Sequence, residues 1–179
     1  MHALLAELGY TGSESQALRN YCRARNRLHK AKLKVSGTMT PQILEDLKEV
    51  VAGGGYISEH FRFSEFRCTC RGRFKDCRGV RIRPALIRAL EELRAKWYPR
   101  GMPLISTGRC PGRNREVGGA SLSKHLTWLA ADVVPVIPAT YPMPKQIGGI
   151  GINRSTNKIS HVDARRRVFG GVVKWYYGR

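Results

Sequence analysis

The chain of 179 residues lacks the features of a membrane or exported protein. It has no run of about 18 or more apolar residues, which excludes a membrane-spanning helix. Its first residues, MHALLAELGY, lack the basic region, apolar stretch and cleavage site of a secretory signal. We therefore expect a protein made in the cytoplasm, and if it acts outside the cytoplasm, another agent must release it.

Acidic residues are scarce, since 13 Asp and Glu accompany 32 Lys and Arg and leave a net charge of +19. Such a surface attracts polyanions by long-range attraction and counterion release. Nucleic acid is one candidate, but the sequence has no recognisable RNA- or DNA-binding motif and no aromatic residues arrayed for base stacking. Anionic cell-wall or outer-membrane polymers are another candidate, and charge alone does not choose among these partners.

Short helices are predicted for the first part of the chain. Ser13 and Thr40 are suitable N-caps, and Pro41 occupies the first helical position after Thr40. Gly53-Gly54-Gly55 follows, and three consecutive glycines are typical of a linker. The sequence thus predicts a three-helix unit over residues 1–52, a linker over 53–57 and a second unit over 58–179.

The second unit combines one long helix with several strands. An apolar helical pattern begins at Pro84 and ends before Pro99. Short runs rich in Val and Ile, separated by Gly, Pro and Asn, predict strands over residues 103–106, 130–136, 148–152 and 159–162. The predicted fold class is α+β, with a small antiparallel sheet and flanking helices that carry the functional site.

Two of the five histidines lie near carboxylates at spacings that suit a metal site. His125 precedes Asp132 by seven residues, and His161 precedes Asp163 by two. Two imidazoles and a carboxylate, with a fourth position left to water, form a usual catalytic zinc site. Such a site activates water for hydrolysis. Because each pair alone also occurs by chance, the spacing makes the set His125, Asp132 and His161 a hypothesis.

The flanking residues resemble a known family. The segment ISTGRCPGRNREVGGASLSKHLTWLAADVV is similar to motifs of zinc D-alanyl-D-alanine carboxypeptidases and L-alanyl-D-glutamate endopeptidases. GGIGINRSTNKISHVDAR and SEHFRFSEFRC resemble two further segments of that family, so the resemblance covers residues 57 to about 168. It implies Zn²⁺ as the cofactor and His125, Asp132 and His161 as its ligands. It also implies that Arg109 contacts a carboxylate or carbonyl of the substrate and that Ser123 helps to shape the site.

The sequence departs from the family pattern at two positions. Trp128 replaces a usual glycine, so either the loop bends differently or the indole covers the metal. Lys158 stands where many members carry an acidic general base. Since alternate strand residues share a face, Asp163 is the candidate for that base or for a group that orients a ligand. A surface aspartate paired with a neighbouring arginine is the remaining alternative.

The first 50 residues resemble the small three-helix peptidoglycan-binding module of many wall hydrolases. The matching positions are Leu8-Gly9-Tyr10, Gly12, Val35, Gly37 and the stretch from Thr40 to Leu44. The central helix departs from the module, because Tyr21-Cys22 replaces its usual aromatic-glutamine pair. Another kind of three-helix docking module is the alternative.

The five cysteines leave at least one thiol unpaired within a single chain. Cys68, Cys70 and Cys77 lie close together, and Cys110 lies in the segment of Arg109. Their spacing is not that of a standard zinc ribbon. A disulfide to Cys110, a structural metal and free thiols all remain open, while Cys22 is expected to pack as a small apolar residue.

The expected function is zinc-dependent hydrolysis of peptide bonds in peptidoglycan stem peptides, as in a phage endolysin. A D,D-carboxypeptidase acting on stem peptides is the alternative within the enzymes. A non-catalytic wall-binding or virion-structural protein is the alternative outside them, and Lys158 keeps it open. We expect a monomer, unless the protein is part of a virion.

Overall fold

The computed structural model describes residues 2–178, without the side chains of His2 and Pro135. The two end positions of the predicted units, residues 1 and 179, lie outside the described residues. The helices of the described part are α1 His2–Glu7, α2 Glu14–His29, α3 Pro41–Ala52, a 3-10 helix Phe63–Phe66, α4 Pro84–Trp97 and α5 Pro111–Glu116. Its strands are β1 Leu104–Ser106, β2 Ala130–Pro138, β3 Gly149–Asn153, β4 Lys158–Asp163 and β5 Val173–Tyr177. The predicted α+β fold class is confirmed.

Local sequence signals set the starts of the longer helices. The Ser13 hydroxyl accepts a hydrogen bond from the backbone N–H of Gln16 at 3.3 Å. The Thr40 hydroxyl accepts one from Ile43 N–H at 3.2 Å. Each such cap satisfies a backbone donor that has no partner inside the helix, and is worth about 1 kcal/mol. Helix α4 begins at Pro84, as predicted.

Five strands form one sheet in the order β1-β2-β4-β3-β5. The pairings β1–β2, β2–β4 and β3–β4 are antiparallel, as predicted. The prediction of an antiparallel sheet is wrong for the last pairing, because β5 runs parallel to β3 with Gly149 opposite Val173. β4 ends where β3 begins, with Asp163 opposite Gly149, and the segment between β4 and β5 passes β3 at that same end, so β5 enters in the direction of β3. The sheet is therefore mixed.

The three N-terminal helices share their apolar core with the rest of the chain. The ring of Phe63 lies 5.7 Å from that of Tyr21 and 6.1 Å from that of Tyr10. An imidazole nitrogen of His29 lies 2.7 Å from the carbonyl oxygen of Ile57, and Ile57 is fully buried. The division into two units remains a prediction, but the two parts make extensive contact.

The three glycines that follow α3 end that helix in a defined way. Gly54 has a φ of +87°, and its N–H donates to the carbonyl of Val51, while Gly55 N–H donates to that of Val50. This pair of bonds is a Schellman motif, which needs a left-handed residue where glycine carries no steric penalty. The glycines thus cap a helix and lead directly into the buried Ile57.

Within residues 2–178, the helices are too short or too polar to cross a bilayer.

Candidate metal centre

Three side chains that the sequence predicts as ligands meet at one face of the sheet. Asp132 on β2 lies directly opposite His161 on β4, and His125 reaches them from the loop before β2. The Nε2 atom of His125 lies 3.2 Å from Asp132 Oδ1 and 3.0 Å from His161 Nδ1. His161 Nδ1 lies 3.0 Å from the same Asp132 oxygen. We call these three residues the metal triad.

The tautomer of His125 suits metal binding. Its Nδ1 contacts the backbone carbonyl oxygen of Thr107, which can only accept a hydrogen bond, so Nδ1 carries the proton. A neutral imidazole then presents a bare lone pair at Nε2, toward the other two members of the triad. Burial lowers the pKa of His125 below its ordinary value, which favours this neutral form.

The triad fits a small cation. Ligands of a tetrahedral zinc ion at about 2.0–2.1 Å lie about 3.3 Å from one another, close to the separations within the triad. Burial alone would raise the pKa of Asp132, but hydrogen bonds with His125 and His161 outweigh it and hold that pKa well below its ordinary range. An ionised carboxylate and converging imidazole nitrogens form the donor set that zinc takes in hydrolytic sites.

Asp163 lies behind His161 and is fully buried. One of its oxygens is 3.6 Å from His161 Nε2, the ring nitrogen that does not face the triad. Arg165 donates from Nε to Asp163 Oδ1 at 2.7 Å. Burial opposes ionisation, but the neighbouring His161 and the hydrogen bonds from Arg165 outweigh it and lower the pKa of Asp163 to about 2. The carboxylate therefore stays ionised and is held on the side of His161 away from the other two ligands.

Arg109 contacts a member of the triad directly. Its Nη2 donates to Asp132 Oδ2 at 2.9 Å, and its Nε donates to the Ser106 hydroxyl at 3.2 Å. This contact engages the oxygen of Asp132 that does not face the histidines, so it fixes the orientation of the carboxylate. Arg109 also lines the cavity above the triad.

A cavity of about 660 Å³ opens over the triad. Ser123, whose predicted role is to shape the site, lines the cavity, and its hydroxyl accepts a hydrogen bond from His125 N–H at 3.4 Å. The cationic side chains in its wall are those of Arg109, Lys124 and Arg165. Lys158, which stands at the usual place of the general base, is exposed at the first residue of β4 and is not among the lining residues.

Trp128 does not cover the triad. Its backbone has a φ of +56°, a left-handed conformation that explains why glycine is usual at this position. The indole is buried, and its Nε1 donates to the carbonyl of Phe66 at 3.3 Å. A Cβ atom on Gly108 would lie 1.8 Å from that nitrogen, so the bulky residue at 128 requires glycine at 108. Of the two alternatives for Trp128, the indole over the metal is therefore wrong, and the backbone at this position has the conformation that glycine favours.

Two residues beside the triad were missed in the sequence. The Trp175 ring on β5 packs edge-on against His161 with ring centroids 4.9 Å apart, and it lines the cavity. Gly151 on β3 leaves room for this contact, because a Cβ there would lie 3.0 Å from the Trp175 ring and 3.1 Å from the Cβ of His161. The Val and aromatic residues of VVKWYY indicate a strand, so this pattern could have placed Trp175 on a strand of the sheet. Its contact with His161 depends on the parallel pairing.

The five cysteines, all within the described residues, form no disulfide. Cys22 is buried in α2 among apolar residues, as expected. Cys68, Cys70, Cys77 and Cys110 converge on one point, with their sulfur atoms within 4.8 Å of one another. We call them the cysteine cluster. The sulfur atoms of Cys68 and Cys70 lie 3.4 Å apart. This distance is well beyond the roughly 2.05 Å of a disulfide bond.

A family model described as Peptidase M15 matches residues 59–163, which is more than half of the chain. The matched range contains the metal triad, Arg109 and the cysteine cluster. No curated protein matches the chain significantly. The family match and the geometry of the triad agree, and the chain belongs to the Peptidase M15 family of metallopeptidases.

Proposed function

We propose that this chain is a zinc-dependent murein peptidase that hydrolyses a peptide bond in the stem peptides of bacterial peptidoglycan. The observation that carries the proposal is the convergence of His125, Asp132 and His161 at the base of an open cavity, in a member of a metallopeptidase family. The resemblance of the flanking motifs to enzymes that act on D-alanyl and D-glutamyl peptides supports the choice of substrate.

In this proposal each residue of the site has a defined task. The metal triad would hold Zn²⁺, which when bound supplies Lewis-acid chemistry that activates water and polarises a carbonyl. The carbonyl of Thr107 holds His125 with its Nε2 lone pair toward the ion, and the carboxylate of Asp163, 3.6 Å from His161 Nε2, would favour the proton on that nitrogen and leave Nδ1 free for the ion. Arg109 holds Asp132 in place and faces the substrate.

The charge of the cavity supports a carboxylate-bearing substrate. Arg109, Lys124 and Arg165 line it, while Asp132 is the one acidic side chain among the lining residues. Stem peptides carry free carboxylates, and a guanidinium binds such a group with two parallel hydrogen bonds. The basic surface, with its net charge of +19, would in addition concentrate the enzyme on anionic wall polymers.

Digestion of purified peptidoglycan tests this function. We expect soluble fragments with new N-terminal residues for an endopeptidase, or free D-alanine for a D,D-carboxypeptidase, measured by mass spectrometry of the products. The His125→Ala variant is the matched negative control, since it retains the basic surface but removes one ligand of the triad. Equal release of fragments or D-alanine by the wild type and by His125→Ala would contradict the proposal. So would the absence of any release by the wild type in the presence of zinc.

Asp163 is assigned here to the positioning of His161 and not to proton transfer. In this role, Asp163→Asn should weaken zinc binding at the triad by about 10–100-fold, the usual effect of losing a carboxylate partner of a ligating histidine. Excess zinc should then restore most of the activity, because the chemical step is intact. The measurements are zinc affinity and the dependence of kcat on pH.

A general base at Asp163 would give a different result. Activity would then fall with zinc fully bound, and excess metal would not restore it. Glu59→Gln is a suitable control, because the Glu59 side chain is 84% exposed and lies outside the triad, with its Oε1 3.7 Å from His60 Nε2. It should leave both zinc affinity and activity unchanged.

The proposal also includes how the protein reaches the bacterial cell wall. The protein would accumulate in the cytoplasm and meet peptidoglycan after lysis or as part of a phage particle. The N-terminal helices, which resemble a peptidoglycan-binding module, would add contacts to the wall polymer.

A further inference from the structure

We propose that the cysteine cluster binds a second zinc ion, which has a structural role. Cys68, Cys70 and Cys77 come from one loop, and Cys110 comes from the start of α5. This site lies apart from the metal triad in ligands and in position, and it does not depend on the peptidase function proposed above. A tetrahedral set of four thiolates is a usual structural zinc site.

The sulfur geometry fits one ion. Cys68 Sγ lies 3.4 Å from Cys70 Sγ and 3.8 Å from Cys110 Sγ, and the Cys70 and Cys110 sulfurs are 3.7 Å apart. Four sulfurs bound at about 2.3 Å around a tetrahedral zinc ion lie about 3.8 Å from one another. Because each sulfur has several near neighbours, the arrangement suits a shared ion better than a disulfide, which would draw two sulfurs together.

The cluster is shielded from water and its sulfurs accept backbone hydrogen bonds. Cys68 and Cys110 are fully buried, and Cys70 and Cys77 are 9% and 7% exposed. Cys110 N–H donates to Cys68 Sγ and Arg113 N–H donates to Cys110 Sγ, each at 3.4 Å. Gly79 N–H donates to Cys77 Sγ at 3.5 Å. Such N–H groups stabilise the negative charge that sulfur carries as a metal ligand.

The surrounding charge favours an anionic centre. Four thiolates around Zn²⁺ carry a net charge of about −2. The loop supplies basic residues around its three cysteines, and Arg113 follows the fourth; these residues are Arg71, Arg73, Lys75, Arg78 and Arg113. Glu116 forms ion pairs with Arg73 and Arg113, and a zinc centre would give the remaining positive charge a local counter-charge.

The loop between Arg67 and Val80 needs such a support. The two residues form a single antiparallel bridge, and between them the structure has turns but no helix or strand. Phe74 is the only large apolar side chain in this stretch, and it packs on the cysteine cluster. A segment with so little apolar surface to bury is usually fixed by a cross-link or a metal.

The ion would also fix one wall of the metal centre. Cys110 follows Arg109, which contacts Asp132, and Cys110 is the N-cap of α5. Trp128, whose loop carries His125, packs on the same cluster. The second zinc therefore would hold the segment of Arg109 and the loop of His125 against the loop of the three cysteines.

Metal analysis of the full chain tests this inference. The protein, purified under reducing conditions with zinc, should contain two zinc ions per chain by plasma mass spectrometry. His125→Ala and Cys77→Ser should each retain one, and the double variant none. Cys22→Ala is the matched control, because this buried thiol lies outside the cluster, and it should retain both ions and full activity.

X-ray absorption at the zinc edge identifies the ligands without relying on a cysteine variant. In His125→Ala the remaining ion should show sulfur neighbours alone, at about 2.3 Å. A wild-type protein with one zinc and no sulfur neighbours, iron in place of zinc, or a disulfide found by intact mass would overturn the inference. One zinc bound by sulfur alone would support it and would instead contradict the proposed catalytic site.

Discussion

Replacing His161 with alanine is expected to remove the zinc of the metal triad and to abolish peptidase activity. Only His125 and Asp132 would remain as ligands, and two ligands do not hold a catalytic ion. Since the metal contributes several kcal/mol to the reaction, activity should fall by about three orders of magnitude or more. Activity on peptidoglycan fragments and zinc content per chain measure the two effects together.

His60→Ala is the matched control for this variant. His60 pairs with Glu91 through a 2.7 Å contact and is 30% exposed in its side chain, but it lies outside the triad. Its replacement should leave zinc content and activity close to those of the wild type. If His161→Ala kept its activity and its full complement of zinc, the triad could not be the catalytic metal site.

Removing residues 1–57 is expected to unfold the remaining chain. The 3-10 helix Phe63–Phe66 would lose the rings of Tyr10 and Tyr21, which cover Phe63. Exposing one such buried phenylalanine costs about 1.5–3 kcal/mol, and several apolar groups of the shared core would be exposed together. Their sum is comparable with the total stability of a domain, about 5–15 kcal/mol. Circular dichroism and thermal unfolding of residues 58–179 test this expectation.

A point variant tests the same contact in the full chain. Phe63→Ala should lower the free energy of unfolding by about 3–5 kcal/mol, because it leaves a cavity between the N-terminal helices and the rest of the core. Ile105→Ala, at a position 62% exposed, should change it by about 0.5 kcal/mol or less. A truncated chain with the thermal stability of the full protein would instead support the two independent units predicted from the sequence.

Much of the local structure could be predicted from the sequence because its signals act over a few residues. The caps at Ser13 and Thr40 and the helix start at Pro84 depend on side chains next to the backbone groups they satisfy. The strands β1 to β4 follow from short runs of β-branched residues between turn formers. β5 was not predicted, although VVKWYY carries the same signal.

The residues of the metal triad were found by a motif, but their partners were not. The motif names His125, Asp132 and His161 because their spacing and flanking residues are local properties of the sequence. The Thr107 carbonyl that sets the tautomer of His125 lies 18 residues away, and Trp175 reaches His161 only through a parallel strand pairing. Such contacts depend on the path of the chain, which no short pattern records.

The sequence by itself determined the fold class. It also identified the triad and the four clustered cysteines as residues of interest. The tertiary structure decided how those groups are used. It placed Asp163 behind His161 in an ion pair with Arg165, and it brought Cys110 to a loop more than 30 residues away. The reason is that ligand geometry is set by distances between remote parts of the chain, and packing of the whole core fixes those distances.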